Sequence, residues 1–324
     1  MELIFLGTSS GTPTRQRNVS GLALRMQNAK SWCLIDCGEG TQHQILRTNL
    51  ALNHLQAIFI THVHGDHCFG LPGLLASASL TMRTAPLTIV APRGVREMFE
   101  VIKTCTQLRL TYDIRFVDVE DMSGVREVCS GFMIDVVMLS HRVPSYGYVF
   151  TEKHVAGKLD IAKLRAEGIE AGPVWGRIQQ QEDVTLTDGR EIKARDFLLE
   201  TRRPRTIAIA GDNDMPEVFA DVADSLDVLV HEATYTHETM EKVGAGPQHS
   251  SAKLVGQFAQ QVEIPNLVLT HFSARYKEVG AGEPSVAMLE QEARDYYDGR
   301  LFLARDLEVY RLDVEGVLEC VAGW

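Results

Sequence analysis

Short apolar runs broken by glycine-rich turns recur along most of the chain, interleaved with longer stretches of helix formers. Glu2 to Leu6, Ser20 to Met26 and Ser31 to Ile35 are apolar and turn-bounded, which predicts strands. Leu55 to Ile60 reads as a buried strand. Thr41 to Leu50, Phe69 to Met82 and Arg93 to Thr104 predict helices, and Leu87 to Val90, Ile114 to Val119, Phe132 to Ser140 and Tyr146 to Thr151 further strands. From Glu152 to about Thr201 the pattern weakens and turns polar, with Gly157, Gly168, Gly172-Pro173, Gly176 and Asp188-Gly189. This segment predicts an inserted arm outside the core. Strands resume at Thr206 to Ala210, Val228 to Val230 and Leu267 to Leu269, with helices at Pro216 to Ala223, Ser251 to Gln261 and Ser285 to Tyr297. Leu301 to Leu303 and Glu308 to Arg311 close the chain as strands. No internal repeat, low-complexity tract or long linker interrupts it, so residues 1–324 read as one domain carrying an arm at about 152–201.

Several of these apolar runs end directly in a residue that binds metal. Ala57 to Thr61 runs into His62, Val136 to Ser140 into His141, Ile207 to Gly211 into Asp212, and Leu267 to Thr270 into His271. Around the first of these the chain reads His62-Val63-His64-Gly65-Asp66-His67, on a strand-to-helix loop. Neutral imidazoles and carboxylates are the ligands Zn²⁺ prefers, and this spacing leaves too little chain to disperse them. Ligands on the ends of neighbouring strands converge along one sheet edge. His62, His64, Asp66, His67, His141, Asp212 and His271 are too many for one tetrahedral ion and suit two ions sharing a carboxylate. Asp212 is the expected bridge, and Asp66 can both bind metal and orient a nucleophile. Such a pair suits attack of hydroxide on a phosphate or carbonyl centre.

Composition narrows the setting. Apolar content of 45% and charged content of 23% are ordinary for a globular enzyme. No run approaches the length of a membrane span, and Met1 to Leu6 lacks a basic flank, so a cytoplasmic protein with no membrane partner is expected. The net charge of −11 argues against indiscriminate nucleic-acid binding, and no DNA partner is expected. The six cysteines are scattered through apolar surroundings and read as buried, reduced thiols.

His62-x-His64-x-Asp66-His67, followed by His141, Asp212 and His271, resembles the metallo-β-lactamase superfamily of two-metal hydrolases over nearly the whole chain. The resemblance implies an α/β fold, an αβ/βα four-layer sandwich of two sheets flanked by helices, with the site at one edge. Three further stretches resemble one branch, ribonuclease Z, the endonuclease family that matures tRNA 3′ ends. Pro13-Thr14-Arg15-Gln16-Arg17-Asn18 looks like its Pro-x-Lys-x-Arg-Asn loop, with Arg15 in place of Lys, and its guanidinium groups suit phosphate contact. His231-Glu232-Ala233-Thr234 and His249-Ser250-Ser251 look like its late motifs. Gly168-Ile169-Glu170-Ala171-Gly172-Pro173 looks like its flexible exosite, which grips the tRNA elbow. Asn213 and the Phe and Ala of His271-Phe272-Ser273-Ala274-Arg275-Tyr276 depart from the family pattern. The arm is barely basic, with five Lys/Arg against four Asp/Glu between Glu152 and Arg177.

The resemblance therefore implies an enzyme that cuts precursor tRNA after the discriminator nucleotide, leaving a tRNA 3′ hydroxyl and a trailer 5′ phosphate. His62, His64, His141 and Asp212 would hold one Zn²⁺, and Asp66, His67, Asp212 and His271 the other, with other divalent ions as possible occupants. Asp66, His249 and Glu232 would be the catalytic group, Glu232 orienting the histidine that protonates the leaving oxygen. Arg15, Arg17, Asn18, Gly172 and Pro173 would contact RNA. A homodimer is implied, one subunit's arm presenting tRNA to the other's site. The alternatives are a two-metal hydrolase of a small phosphodiester, sulfate ester or thioester, which has no use for the arm, and a non-catalytic RNA-binding scaffold.

Overall fold

Two β-sheets face each other across an aromatic-rich core in the computed structural model, which describes residues 1–122, 128–153, 155, 157–199 and 202–323. The chain divides into two compact units, one of Met1–Phe150 with Thr206–Trp324 and one of Thr151–Arg205. In the larger unit the first sheet runs in the order Leu318–Gly323, Glu308–Leu312, Glu2–Gly7, Gly21–Arg25, Trp32–Ile35, Leu55–Phe59, Leu87–Ala91, Ile114–Asp118. Its last four strands are parallel. The second sheet runs Arg300–Leu303, Asn266–Thr270, Val228–Glu232, Thr206–Ile209, Ser145–Glu152, Phe132–Leu139, and its first four strands are parallel.

Residues alternate along each strand, so one set faces the opposing sheet and the other faces helices. Between the sheets Phe59 packs edge-on against Tyr148 and Phe150, with ring centroids 5.1 and 5.2 Å away. The Tyr148 hydroxyl donates to the Ile60 carbonyl at 2.7 Å, which satisfies its one polar atom. Outside the first sheet lie Leu71–Leu80 and Arg93–Thr106, burying Leu71, Leu74, Leu75, Val95 and Phe99. Outside the second lie Ala252–Gln261 and Val286–Arg294, burying Val255, Phe258, Ala259, Leu289 and Ala293. These three- and four-residue spacings are one helix face each. Helix, sheet, sheet, helix: the four-layer sandwich is the fold observed.

Local competition moves some boundaries. The helix expected over Thr41 to Leu50 ends at Ile45. The Thr48 hydroxyl donates to the Ile45 carbonyl at 2.8 Å and accepts from the Leu50 amide at 3.1 Å, which turns the chain out of the helix. In the larger unit two elements of more than five residues lie outside the expected set. The helix His237–Val243 buries none of its residues, so it has no apolar face to read. The strand Leu318–Gly323 alternates over too few residues to stand out. Of the cysteines, none in a disulfide, Cys105 and Cys320 are exposed rather than buried, the first on the last turn of a helix and the second on a strand at a sheet edge. No helix among the described residues is long and apolar enough to cross a membrane.

In the smaller unit the helices Ile161–Ala166 and Pro173–Gln179 pack with two two-stranded sheets around Leu164, Ile169, Ile178, Val184 and Phe197. Its two ends meet. The Glu152 amide donates to the Arg205 carbonyl at 2.9 Å, and the buried Glu152 carboxylate takes Arg202 at 2.7 Å and Arg205 at 2.8 Å. These guanidinium groups hold its carboxyl at about 2 against the opposing effect of burial.

One close approach fixes the turn after Trp32–Ile35 against the loop beyond Leu55–Phe59. The Cys37 amide donates to the His67 carbonyl at 2.8 Å, and the Gly70 amide to the Cys37 carbonyl at 2.9 Å. A Cβ on Gly70 would stand 2.1 Å from the Gly38 carbonyl oxygen, and one on Gly38 would stand 2.3 Å from that of Asp66. Both clashes are with backbone, which cannot swing aside. Gly70→Ala is expected to destabilise the fold by about 1–3 kcal/mol, read as a lower midpoint in urea; an unchanged midpoint would show that the turn has slack.

Candidate metal centre

Both sheets deliver side chains from the carboxyl ends of their strands to one edge. Beyond Leu55–Phe59 come His62 and His64, with Asp66 and His67 on the one-turn helix Gly65–Cys68. His141 follows Phe132–Leu139, Asp212 follows Thr206–Ile209, and His271 follows Asn266–Thr270. Parallel strands end at the same level, so the seven candidate ligands, far apart in sequence, meet. They gather as His62, His64, His141 and Asp212 in one group and Asp66, His67 and His271 in another.

Asp212 belongs to both. Its Oδ2 lies 3.5 Å from His62 Nε2 and 3.8 Å from His141 Nε2. Its Oδ1 lies 3.4 Å from His67 Nε2 and 3.3 Å from His271 Nε2. Within the first group His64 Nδ1 is 2.9 Å from His62 Nε2 and 3.3 Å from His141 Nε2. Within the second, Asp66 Oδ2 is 3.4 Å from both His67 Nε2 and His271 Nε2. Atoms bound at 2.0–2.1 Å around a tetrahedral ion lie roughly 3.3–3.4 Å from one another. The donor spacing fits two such ions with one carboxylate between them.

The outer ring nitrogens of four of these histidines are committed elsewhere, which aims the inner ones at the centre. His67 Nδ1 meets Asp36 Oδ2 at 2.7 Å, His141 Nδ1 the Gln248 carbonyl at 2.9 Å, and His62 Nδ1 the Thr61 hydroxyl at 3.0 Å. His271 Nδ1 meets the Thr234 hydroxyl at 3.1 Å. His64 alone turns Nδ1 inward.

Charge follows position. Burial would push the Asp212 and Asp66 carboxyls up, but neighbouring imidazoles reverse this and hold both well below the usual carboxylate range. Burial, joined by the charge of His67, pushes His62 down, and burial with the Arg142 guanidinium pushes His64 down to about 4. Ionised carboxylates beside neutral imidazoles are the protonation states that metal binding requires. At His67 burial opposes, but Asp212, Asp36 and Asp66 prevail and raise it. The pocket draws positive charge.

His249 stands at the rim of this centre, its Nδ1 2.9 Å from Glu232 Oε1 and 3.8 Å from Asp212 Oδ2. Burial alone would lower it; the Glu232 carboxylate overrides burial and pulls His249 up to about 9. Glu232 is buried at the end of Val228–Glu232 and accepts from the Asn213 amide at 2.9 Å and from the Thr234 hydroxyl.

Two side chains of the site went unread in the sequence. Asp36 accepts from the Thr61 amide and hydroxyl at 2.8 and 2.9 Å as well as facing His67. Thr234 links Glu232 to His271. The signal for Asp36 was present, since Trp32–Ile35 also runs straight into it. Cys68 beside the loop is no ligand: its Sγ donates to the His64 carbonyl at 3.2 Å, and burial pushes its thiol up to about 12.

The expected RNA contacts fare unevenly. Arg15 is exposed. Arg17 is not: its side chain is 4% exposed, with Nε 2.7 Å from Glu278 and Nη1 donating to the Thr8 hydroxyl and the Ala304 carbonyl, both at 2.7 Å. Its guanidinium also covers the Phe272 ring at 4.9 Å. With its charge met inside the protein, Arg17 braces the loop instead of facing solvent. Asn18 does likewise, its amide donating to Asp306 at 2.6 Å and its side chain to the Glu39 carbonyl at 3.0 Å. Gly172 and Pro173 are exposed at the start of a helix in the smaller unit.

The profile of a family described as anti-Pycsar protein Apyc1 matches residues 1–156. Over 321 residues the chain is 49% identical to the ribonuclease Z of Marinobacter nauticus, covering 97% of each. It is 46% identical to the ribonuclease Z of Pseudomonas putida strain GB-1, covering 99% of this chain and 100% of the relative. Among solved structures, the short form of human tRNase Z superposes with a TM-score of 0.65 at 26% identity, covering 97% of this chain and 100% of that one.

Removing the Asp36 carboxylate leaves the buried His67 Nδ1 and Thr61 amide without their acceptor. Asp36→Ala is expected to weaken metal binding about 10–100-fold, measured by competition with a chromophoric chelator. Unchanged affinity would mean that His67 is aimed by packing alone.

Proposed function

The chain belongs to the ribonuclease Z family, and we propose that it cuts precursor tRNA directly after the discriminator nucleotide. The observation that carries this reading is His249, held by Glu232 at the rim of a centre of seven candidate ligands, in a chain matching ribonuclease Z relatives along almost its whole length. The family is metal-dependent, and the donor set here has the spacing such ions need. Two Zn²⁺ ions are the proposed occupants, one on His62, His64, His141 and Asp212 and one on Asp66, His67, Asp212 and His271. When bound, they supply Lewis acidity and bring the pKa of water near 7.

The chain's own residues do the rest. Asp66 stays ionised and orients the attacking water toward the phosphorus. Glu232 holds His249 by Nδ1, leaving Nε2 to donate its proton to the departing 3′ oxygen of the tRNA. The P–O3′ bond breaks, that proton ends on the tRNA 3′ hydroxyl, and the water oxygen remains on the trailer's 5′ phosphate. Glu232 is thus a positioning residue, and its burial keeps water from competing for the imidazole. Exposed Arg15 is proposed to meet a backbone phosphate. The smaller unit, with Gly172 and Pro173 at its surface, is proposed to grip the tRNA elbow by shape more than by charge. The proposal extends to a cytoplasmic homodimer in which each arm serves the partner's site and no DNA is engaged.

Cleavage of a 3′-extended tRNA precursor, mapped to the nucleotide, tests this reading. Zinc-loaded protein is expected to give one cut after the discriminator. His64→Ala abolishes it, and His249→Ala lowers kcat about 10²–10⁴-fold. Hydrolysis of a small phosphodiester with the precursor left intact would sink the tRNA assignment.

A further inference from the structure

Beside His249, a half-exposed tyrosine and an exposed arginine form a pair that the reaction so far leaves unused. The Tyr235 ring stands edge-on to His249, with centroids 6.0 Å apart and planes at 82°. The Arg275 guanidinium lies over the Tyr235 ring, 5.0 Å from its centroid. Arg275 Nε donates to the Ser273 hydroxyl at 3.1 Å, and its terminal nitrogens have no protein partner among the described residues. Both side chains are anchored. The Ala252 amide donates to the Tyr235 carbonyl at 3.0 Å, and Phe272–Ser273 pairs with Ser9–Ser10. That pairing also fixes the loop whose Gly11 amide donates to Asp66 Oδ2 at 2.7 Å. Tyr235, Arg275, His249 and Asp66 are therefore held in one frame.

We infer that Tyr235 and Arg275 form the subsite for the last nucleotide on the tRNA side of the cut, the base stacking on the ring–guanidinium pair and a backbone phosphate taking the free Arg275 nitrogens. The inference rests on the proposed function. If His249 protonates the leaving 3′ oxygen, the ribose bearing that oxygen lies against His249, and its base lies within one ring's width of Tyr235. A guanidinium seated on an aromatic ring offers a flat, positively charged face, which stacks on any base and pairs with phosphate. Stacking of this kind is indifferent to base identity. That suits an enzyme whose cut follows a nucleotide that differs between tRNAs, and it makes the contact a ruler for the cut position.

The test is a cycle on zinc-loaded protein, comparing kcat/KM for two precursors that differ only in an intact or an abasic discriminator nucleotide. Loss of the base is expected to slow wild-type cleavage about ten- to a hundredfold. Tyr235→Ala is expected to slow the intact precursor by a similar factor and the abasic one by less than threefold. Tyr235→Phe, which keeps the ring, is expected to stay within threefold of wild type on both. Arg275→Lys, which keeps the charge but not the plane, is expected to fall with Tyr235→Ala on the intact precursor. Equal losses on both precursors in Tyr235→Ala, or a wild type indifferent to the missing base, would overturn the subsite while leaving the nuclease reading intact. A wild type that cuts neither RNA would overturn both.

Discussion

Two carboxylates buried among five imidazoles set the terms for everything at the strand ends. Taking a carboxylate out of water costs several kcal/mol unless charge or hydrogen bonds compensate it. Asp212 meets that cost with imidazole nitrogens on both of its oxygens, and Asp66 with His67, His271 and the Gly11 amide. The arrangement holds only if His62, His67, His141 and His271 keep their outer nitrogens occupied, so that the inner ones point at the carboxylates. Asp36, Thr61, Thr234 and the Gln248 carbonyl do this, and each comes from a different loop. Loop conformation, not strand geometry, is what the centre constrains most tightly.

That constraint is visible in the backbone. Asp36 and His271 both adopt a left-handed φ of 58°, at the first residue after their strands. An L-residue there gives up roughly 1–2 kcal/mol, tolerated because the turn brings the side chain back over the sheet edge. The opposing sheets contribute unequal shares to the centre. The first supplies the contiguous His62-to-His67 loop, and the second supplies single residues from three separate strands. The Glu232–His249 pair belongs wholly to the second. Asp66 and that pair are thereby carried by different sheets.

Most of the centre was legible in the sequence for a simple reason: a buried apolar strand that stops abruptly at a histidine or aspartate is a positional statement, and parallel strands stop together. The rule extends to Asp36, and only its place in a glycine-rich turn disguised it. Thr234 was opaque because a hydroxyl between two known site residues carries no pattern. Arg17 shows the opposite failure. A guanidinium in a turn-rich loop reads as solvent-facing, and nothing local discloses that Glu278, Thr8 and Ala304, far off in sequence, will enclose it. The polar stretch after Glu152 likewise gave little periodicity, because its helices run to only six and seven residues and share one small core.

The joined ends of that smaller unit have an evolutionary consequence. Glu152 and Arg205 bond to each other through both backbone and side chain, so the segment between them leaves and rejoins the chain at a single point. Whatever is spliced in there transmits no demand on strand order or on the spacing of the ligands. A lineage can lengthen, trim or replace this cassette while the residues gathered at the strand ends are inherited unaltered.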